Sequence, residues 1–134
     1  MRAGFIGAGK VGFSLGKYLK ENGVEITGYF SKSPESAKSA ADFTNTKLYK
    51  SIEDILSDSD TLFITVPDGQ ISKVWDYMKN LDIKNKNICH CSGSIPSTVF
   101  FDAENRGAYR YSIHPLYAIS SKATSYLDLG KACF

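Results

Sequence analysis

A short apolar run at residues 3–6 passes directly into Gly7-Ala8-Gly9-Lys10-Val11-Gly12, and a helical pattern begins within that segment. The glycine spacing is G-x-G-x-x-G, placed between a strand signal and a helix signal. No other feature of the chain restricts its fold so strongly. A strand that turns at once into a helix needs a residue free to take an unusual backbone conformation, and Gly7 meets that need. Gly9 removes the side chain that would keep a ligand away from the backbone. Gly12 lets the helix pack tightly on the strand. The helix start then offers unpaired N–H groups and a partial positive charge. Together these features predict a dinucleotide site, with Gly7, Ala8, Gly9, Lys10, Val11 and Gly12 around the pyrophosphate. The alternative phosphate loop, G-x-x-x-x-G-K-[ST], does not fit, because Lys10 precedes Val11 and lies outside that frame.

The rest of the chain alternates in the same way. Strands are predicted over residues 2–6, 24–30, 47–49, 61–66, 87–91 and 110–114, and helices over 9–21, 51–56 and 69–80, with a further helix that starts at Ser33-Pro34 and turns Ala37, Ala40 and Ala41 inward. A helical turn or two is expected over 97–103. Val11, Leu15, Tyr18 and Leu19 share one face of the first helix, and Asn22-Gly23 stops it. Ser33-Pro34 is a helix start, with Ser33 as the cap and Pro34 in the first position. Residues 61–66 are apolar almost throughout, as suits a strand covered on both faces. Ile71, Val74, Trp75 and Met78 then recur at helical spacing. Strands separated by helices form right-handed crossovers and a parallel sheet. The expected fold is therefore α/β and doubly wound, with a mostly parallel sheet, in a single domain over residues 1–134. Residues 120–129 are polar and unpatterned, whereas Ala132-Cys133-Phe134 reads as the start of another strand. That ending suggests a nucleotide-binding domain cut before a second domain.

Composition removes several classes of function. The 134 residues carry a formal charge of +2, too small for a nucleic-acid footprint. No apolar run reaches the roughly 18 residues of a membrane span. The first residues lack the apolar core of a secretion signal, so a cytoplasmic location is expected. The three cysteines are Cys89, Cys91 and Cys133, an odd number that argues against a disulfide framework. Cys89 and Cys91 share one face of a strand and His90 faces the other way, so no metal site is expected. Both cysteines read as buried structural thiols.

Cofactor choice is read at the end of the second strand. NAD enzymes usually place an acid there, about 20 residues past the glycines. This chain has Phe30-Ser31-Lys32-Ser33, and the next acid is Glu35. Two hydroxyls and an ammonium group suit a 2′-phosphate, and a helix start at Ser33 adds N–H donors. NADP is therefore expected ahead of NAD. Flavin adenine dinucleotide shares the glycine motif but usually wants the missing acid.

Ligands of such sheets bind beyond the carboxyl ends of the strands. Three further segments should meet there: Thr65-Val66-Pro67-Asp68, His90-Cys91-Ser92-Gly93-Ser94 and His114-Pro115-Leu116. Taken with the glycine segment and with Tyr29-Phe30-Ser31-Lys32-Ser33-Pro34, these resemble a family of Rossmann-like NADP-dependent oxidoreductases. That family is related to pyrroline-5-carboxylate reductase and to the deazaflavin-dependent NADP reductases. The resemblance covers roughly residues 2–118. It implies that Ser31, Lys32 and Ser33 hold the 2′-phosphate, and that Val66, Pro67 and Asp68 line the path from adenine to nicotinamide. Ser92 and Gly93 would lie beside the nicotinamide. It also implies a helical C-terminal domain that forms a homodimer and completes the substrate site.

His90 and His114 are the only histidines. Either is a possible proton donor or substrate anchor, and His114 is the candidate catalytic residue. The plainer expectation is that each satisfies backbone groups where a strand becomes a loop. Asp68 is expected to cap the following helix. Hydride transfer needs no protein nucleophile, since the cofactor carries that chemistry. The expected function is the NADP-binding part of an oxidoreductase acting on a small carbonyl, imine or alcohol. A regulatory module that binds a nucleotide without chemistry, and a pyrroline-5-carboxylate reductase-like enzyme, are the alternatives.

Overall fold

The computed structural model of the chain describes residues 1–92 and 97–112. Six strands form one sheet: β1 (Arg2–Ile6), β2 (Glu25–Phe30), β3 (Lys47–Leu48), β4 (Thr61–Ile64), β5 (Asn87–His90) and β6 (Tyr109–Ser112). Four helices connect them: α1 (Lys10–Glu21), α2 (Pro34–Thr44), α3 (Ile52–Asp58) and α4 (Asp68–Met78). Short 3-10 turns at Ser97–Val99 and Glu104–Arg106 lead into β6. The strand order is β3-β2-β1-β4-β5-β6, and every pairing is parallel. This is the doubly wound Rossmann arrangement. The expected continuation of the last strand to His114, residues 120–129, and Cys133 with its apolar run lie outside the described residues.

Alternation along the strands builds two cores. Phe5 and Phe63 face α1 and α2, and their neighbours Ile6 and Ile64 face α3 and α4. On the first face, Phe5 stacks between Tyr29 and Phe63 with ring centroids 5.1 Å from each. Ala37, Ala40 and Ala41 keep α2 close to that layer. On the second face, Trp75 and Met78 are fully buried among Ile6, Ile64 and Ile88. Both faces must therefore be covered, and the apolar run of β4 is the sequence record of that demand.

Register sets where a ligand sits. Ile6 pairs with Phe30 on one side and Ile64 on the other, and Ile64 pairs with His90. The carboxyl ends of β2, β1, β4 and β5 are therefore level. The chain leaves β1 for β2 on one side and later returns to β4 on the other. The crevice between these two departures is the switch point of the sheet.

Helix ends follow the sequence signals closely. Asn22-Gly23 ends α1, with the Val24 N–H donating to the Leu19 carbonyl at 3.0 Å. The Ser33 Oγ accepts the Ser36 N–H at the start of α2, and the Ser51 Oγ accepts the Asp54 N–H at the start of α3. The start of α4 departs from expectation: Pro67 takes the cap position and Asp68 is the first helical residue. The fixed φ of Pro67 turns the chain out of β4, so the helix begins one residue earlier than an Asp68 cap would require.

Candidate functional site

The glycine turn is held from both sides. The Gly7 N–H donates to the Phe30 carbonyl of β2 at 2.7 Å. On the β4 side, the Thr65 N–H donates to the Ile6 carbonyl at 2.8 Å, and Thr65 Oγ1 donates to the Gly7 carbonyl at 2.9 Å. Gly7 has φ +107°, which side chains rarely adopt. A Cβ there would also lie 2.7 Å from the Thr65 carbonyl carbon. Gly12 faces the same threonine, and a Cβ on it would meet Thr65 Oγ1 and the Gly7 carbonyl oxygen. The buried Tyr29 hydroxyl donates to the Gly12 carbonyl at 2.7 Å, tying β2 to α1. Burial pushes this phenol well above its ordinary pKa, so it remains a donor.

Above the turn lies a cleft of about 750 Å3, lined by residues from β1, β2, β4 and the helices that follow them. The start of α1 opens into it. No side chain caps that helix, and its first turn carries no acid. Its first N–H groups therefore face the cleft as anion donors. A Cβ built on Gly9 would meet nothing within 4 Å. The space over Gly9 is therefore open, with no side chain of that residue between the backbone and the cleft.

Gly7, Ala8, Gly9, Lys10 and Val11 line the cleft, as do Val66, Pro67 and Asp68. Gly12 is packed beneath the turn instead. At the β2 end the lining residues are Phe30, Ser31, Lys32 and Ser36. Ser33 is not among them. Its backbone N–H donates to Ser31 Oγ at 3.1 Å, and its own hydroxyl caps α2. Ser36, one helical turn further on, takes the place expected for Ser33. Spacing from a proline-initiated helix carried that signal, since Ser33 and Ser36 lie three residues apart on one face. Ile52, Gln70 and Val74 complete the lining. Val74 belongs to the core beneath and Ile52 packs against that core, so both lie where it opens on the cleft.

His90 turns away from the cleft and takes the plainer of its two expected roles, satisfying backbone where the strand ends. It is fully buried, and its ring meets Phe100 edge-on with centroids 5.4 Å apart. Its Nδ1 accepts the Ser92 N–H at 3.1 Å, which satisfies the backbone where β5 ends. Neither His90 nor Ser92 lines the cleft. Cys89 and Cys91 pack on the opposite face, in the core beside α1 and α2. Burial pushes both thiols up to about 12, so neither is a thiolate nucleophile at neutral pH. Gly93 and His114 lie outside the described residues. Among the described residues no group of side chains forms a metal site, and no helix is long and apolar enough to cross a membrane.

The family described as NADP oxidoreductase, coenzyme F420-dependent, matches residues 2–89. Among curated proteins none matches the sequence. Solved structures share the fold. A protein of Bacteroides fragilis assigned as an NADP oxidoreductase superposes with a TM-score of 0.76 at 20% identity, over 89% of this chain and 45% of its own. The 3-hydroxyisobutyrate dehydrogenase of Mycobacterium tuberculosis gives 0.74 at 18% identity, over 88% and 41%. An imine reductase of Myxococcus stipitatus in complex with NADP+ gives 0.70 at 16% identity, over 92% and 43%. The chain spans less than half the length of each.

Proposed function

The chain belongs to this family of NADP oxidoreductases, and we propose that it binds NADP in the cleft above the glycine turn. In this reading it is the cofactor-binding part of a reductase or dehydrogenase acting on a small carbonyl, imine or alcohol. One observation carries the choice of NADP: the cleft wall at the end of β2 holds Ser31, Lys32 and Ser36, and among the described residues no carboxylate lines that end. An acid there would accept hydrogen bonds from an unmodified ribose and repel a 2′-phosphate. Hydroxyls and an ammonium group favour the phosphate.

The residues divide the work along the cleft. Gly9 and the opening N–H groups of α1 would hold the pyrophosphate. Phe30, Ile52 and Val74 would give adenine an apolar wall, and Ser31, Lys32 and Ser36 would take the 2′-phosphate. Val66, Pro67 and Asp68 continue the wall toward the nicotinamide end. When bound, the nicotinamide supplies or accepts the hydride, and the protein contributes position and exclusion of water. Ser92 and Gly93 belong to the proposed nicotinamide side only through the family resemblance, and His114 only through its expected place at a strand end.

The substrate half is proposed to come from a mainly helical domain following residue 134, which would also form the homodimer. The open reading frame tests this directly: a helical segment after Phe134 favours the enzyme, and a stop codon favours a nucleotide-sensing module. Cofactor choice is tested by titrating NADPH and NADH by fluorescence. NADPH should bind at least about tenfold tighter, the worth of one charge-assisted contact of about 1.4 kcal/mol. Tighter binding of NADH would overturn the NADP reading.

A further inference from the structure

The cleft does not stop at Lys32. Phe30, Lys32, Ile52 and Val74 also line a second depression of about 440 Å3, so the two are continuous. This groove runs between the start of α3 and α4, and adds Lys50 and Lys73 to its walls. Both lysines are exposed. Among the described residues, the ion pairs involve none of Lys32, Lys50 and Lys73. Three lysines thus border one groove with no carboxylate partner among the described residues.

The groove has a negative limit. Glu53 lines it and accepts a hydrogen bond from the Tyr77 hydroxyl, which holds the carboxyl below its usual range. Glu53 also lines the next depression, with Asp82 and Lys86, and does not line the cleft. Charge therefore runs from positive at the cleft mouth to negative at the far end. Like charges gathered without counter-ions are relieved by a bound anion. Lys32 is the one lysine common to cleft and groove.

We infer that Lys50 and Lys73 form the outer wall of the 2′-phosphate subsite. They would select an adenosine 2′-phosphate from the side away from Ser31 and Ser36, and Glu53 would mark the outer limit of the subsite. The inference rests on the NADP reading of the cleft. It makes cofactor selectivity a property of α3 and α4 as well as of the β2 end.

The test is a titration of the full chain with NADPH and NADH, at low and high salt, for wild type and for K32Q, K50Q, K73Q, K50Q/K73Q and E53Q. All four positions are exposed, and circular dichroism checks that each variant is folded. K50Q and K73Q should each weaken NADPH about threefold, and the double variant about tenfold, with NADH unchanged. The effect should shrink at high salt. E53Q should tighten NADPH about twofold, a change of opposite sign that a loss of packing would not give. Unchanged NADPH affinity in K50Q/K73Q, with NADPH preference lost in K32Q, would overturn the inference and leave the NADP reading standing. Equal loss of NADPH and NADH in the double variant would overturn it as well. A wild type that does not prefer NADPH would remove the NADP reading, and the inference with it.

Discussion

The two ends of the cleft are built in different ways. At the glycine turn, backbone does the work, and neighbouring strands fix each atom. Gly7 is tied to β2 and β4, Gly12 is pressed against Thr65, and Tyr29 holds the Gly12 carbonyl. At the β2 end the groups are side chains on a partly open rim, and Lys32 carries its ammonium on a flexible stem. The first end offers the same donors to any dinucleotide. In the proposed binding mode the second end meets only the part in which NADP and NAD differ. Affinity and selectivity should therefore separate under mutation.

The largest effect is expected at the rigid end. Gly7→Ala combines strain at positive φ with a Cβ against the Thr65 backbone, and should cost about 3 kcal/mol of stability in denaturant unfolding. A loss under about 1 kcal/mol would mean that the turn is less constrained than its hydrogen bonds imply. Gly9→Ala should do the opposite. The added methyl enters open space, so stability should change by less than about 1 kcal/mol. NADPH and NADH affinities should nonetheless fall together, by roughly tenfold or more, because the methyl stands where the pyrophosphate approaches. A selective loss of one nucleotide would break the division between the two ends.

Lys32→Glu probes the other end. It should weaken NADPH about tenfold and leave NADH nearly unchanged, since it puts a negative charge beside the 2′-phosphate. Equal losses would show that Lys32 does not read the phosphate. The smallest effect is expected for Tyr29→Phe. It removes one buried hydroxyl donor from the Gly12 carbonyl, and should cost about 1 kcal/mol of stability with little change in selectivity. A change in the NADPH to NADH ratio would mean that strain passes between the ends through β2.

The same contrast explains what the sequence made legible. The sheet, the helix order and the turn at Gly7 were readable because they rest on backbone rules: glycine at a positive φ, alternation along strands, and caps at Ser33 and Ser51. Side-chain placement depends on small shifts in those elements. Ser33 and Ser36 are both serines near a helix start, and only the exact entry angle of α2 decides which caps and which lines the cleft. Asp68 moved from cap to first turn because Pro67 took the preceding position. His90 ends a strand that points at the crevice, yet its ring lies on the Phe100 face, since strand alternation sends it inward. The lysine groove left no local pattern at all. Lys32, Lys50 and Lys73 come from three separate connections, and only the folded sheet brings them to one depression.

A crystal structure of the chain with NADP+ tests the central claim most directly. It should show the pyrophosphate over Gly9 at the start of α1, and the 2′-phosphate in contact with Lys32 and at least one of Ser31 and Ser36. A 2′-phosphate pointing to solvent, or a nucleotide bound away from the glycine turn, would contradict the account.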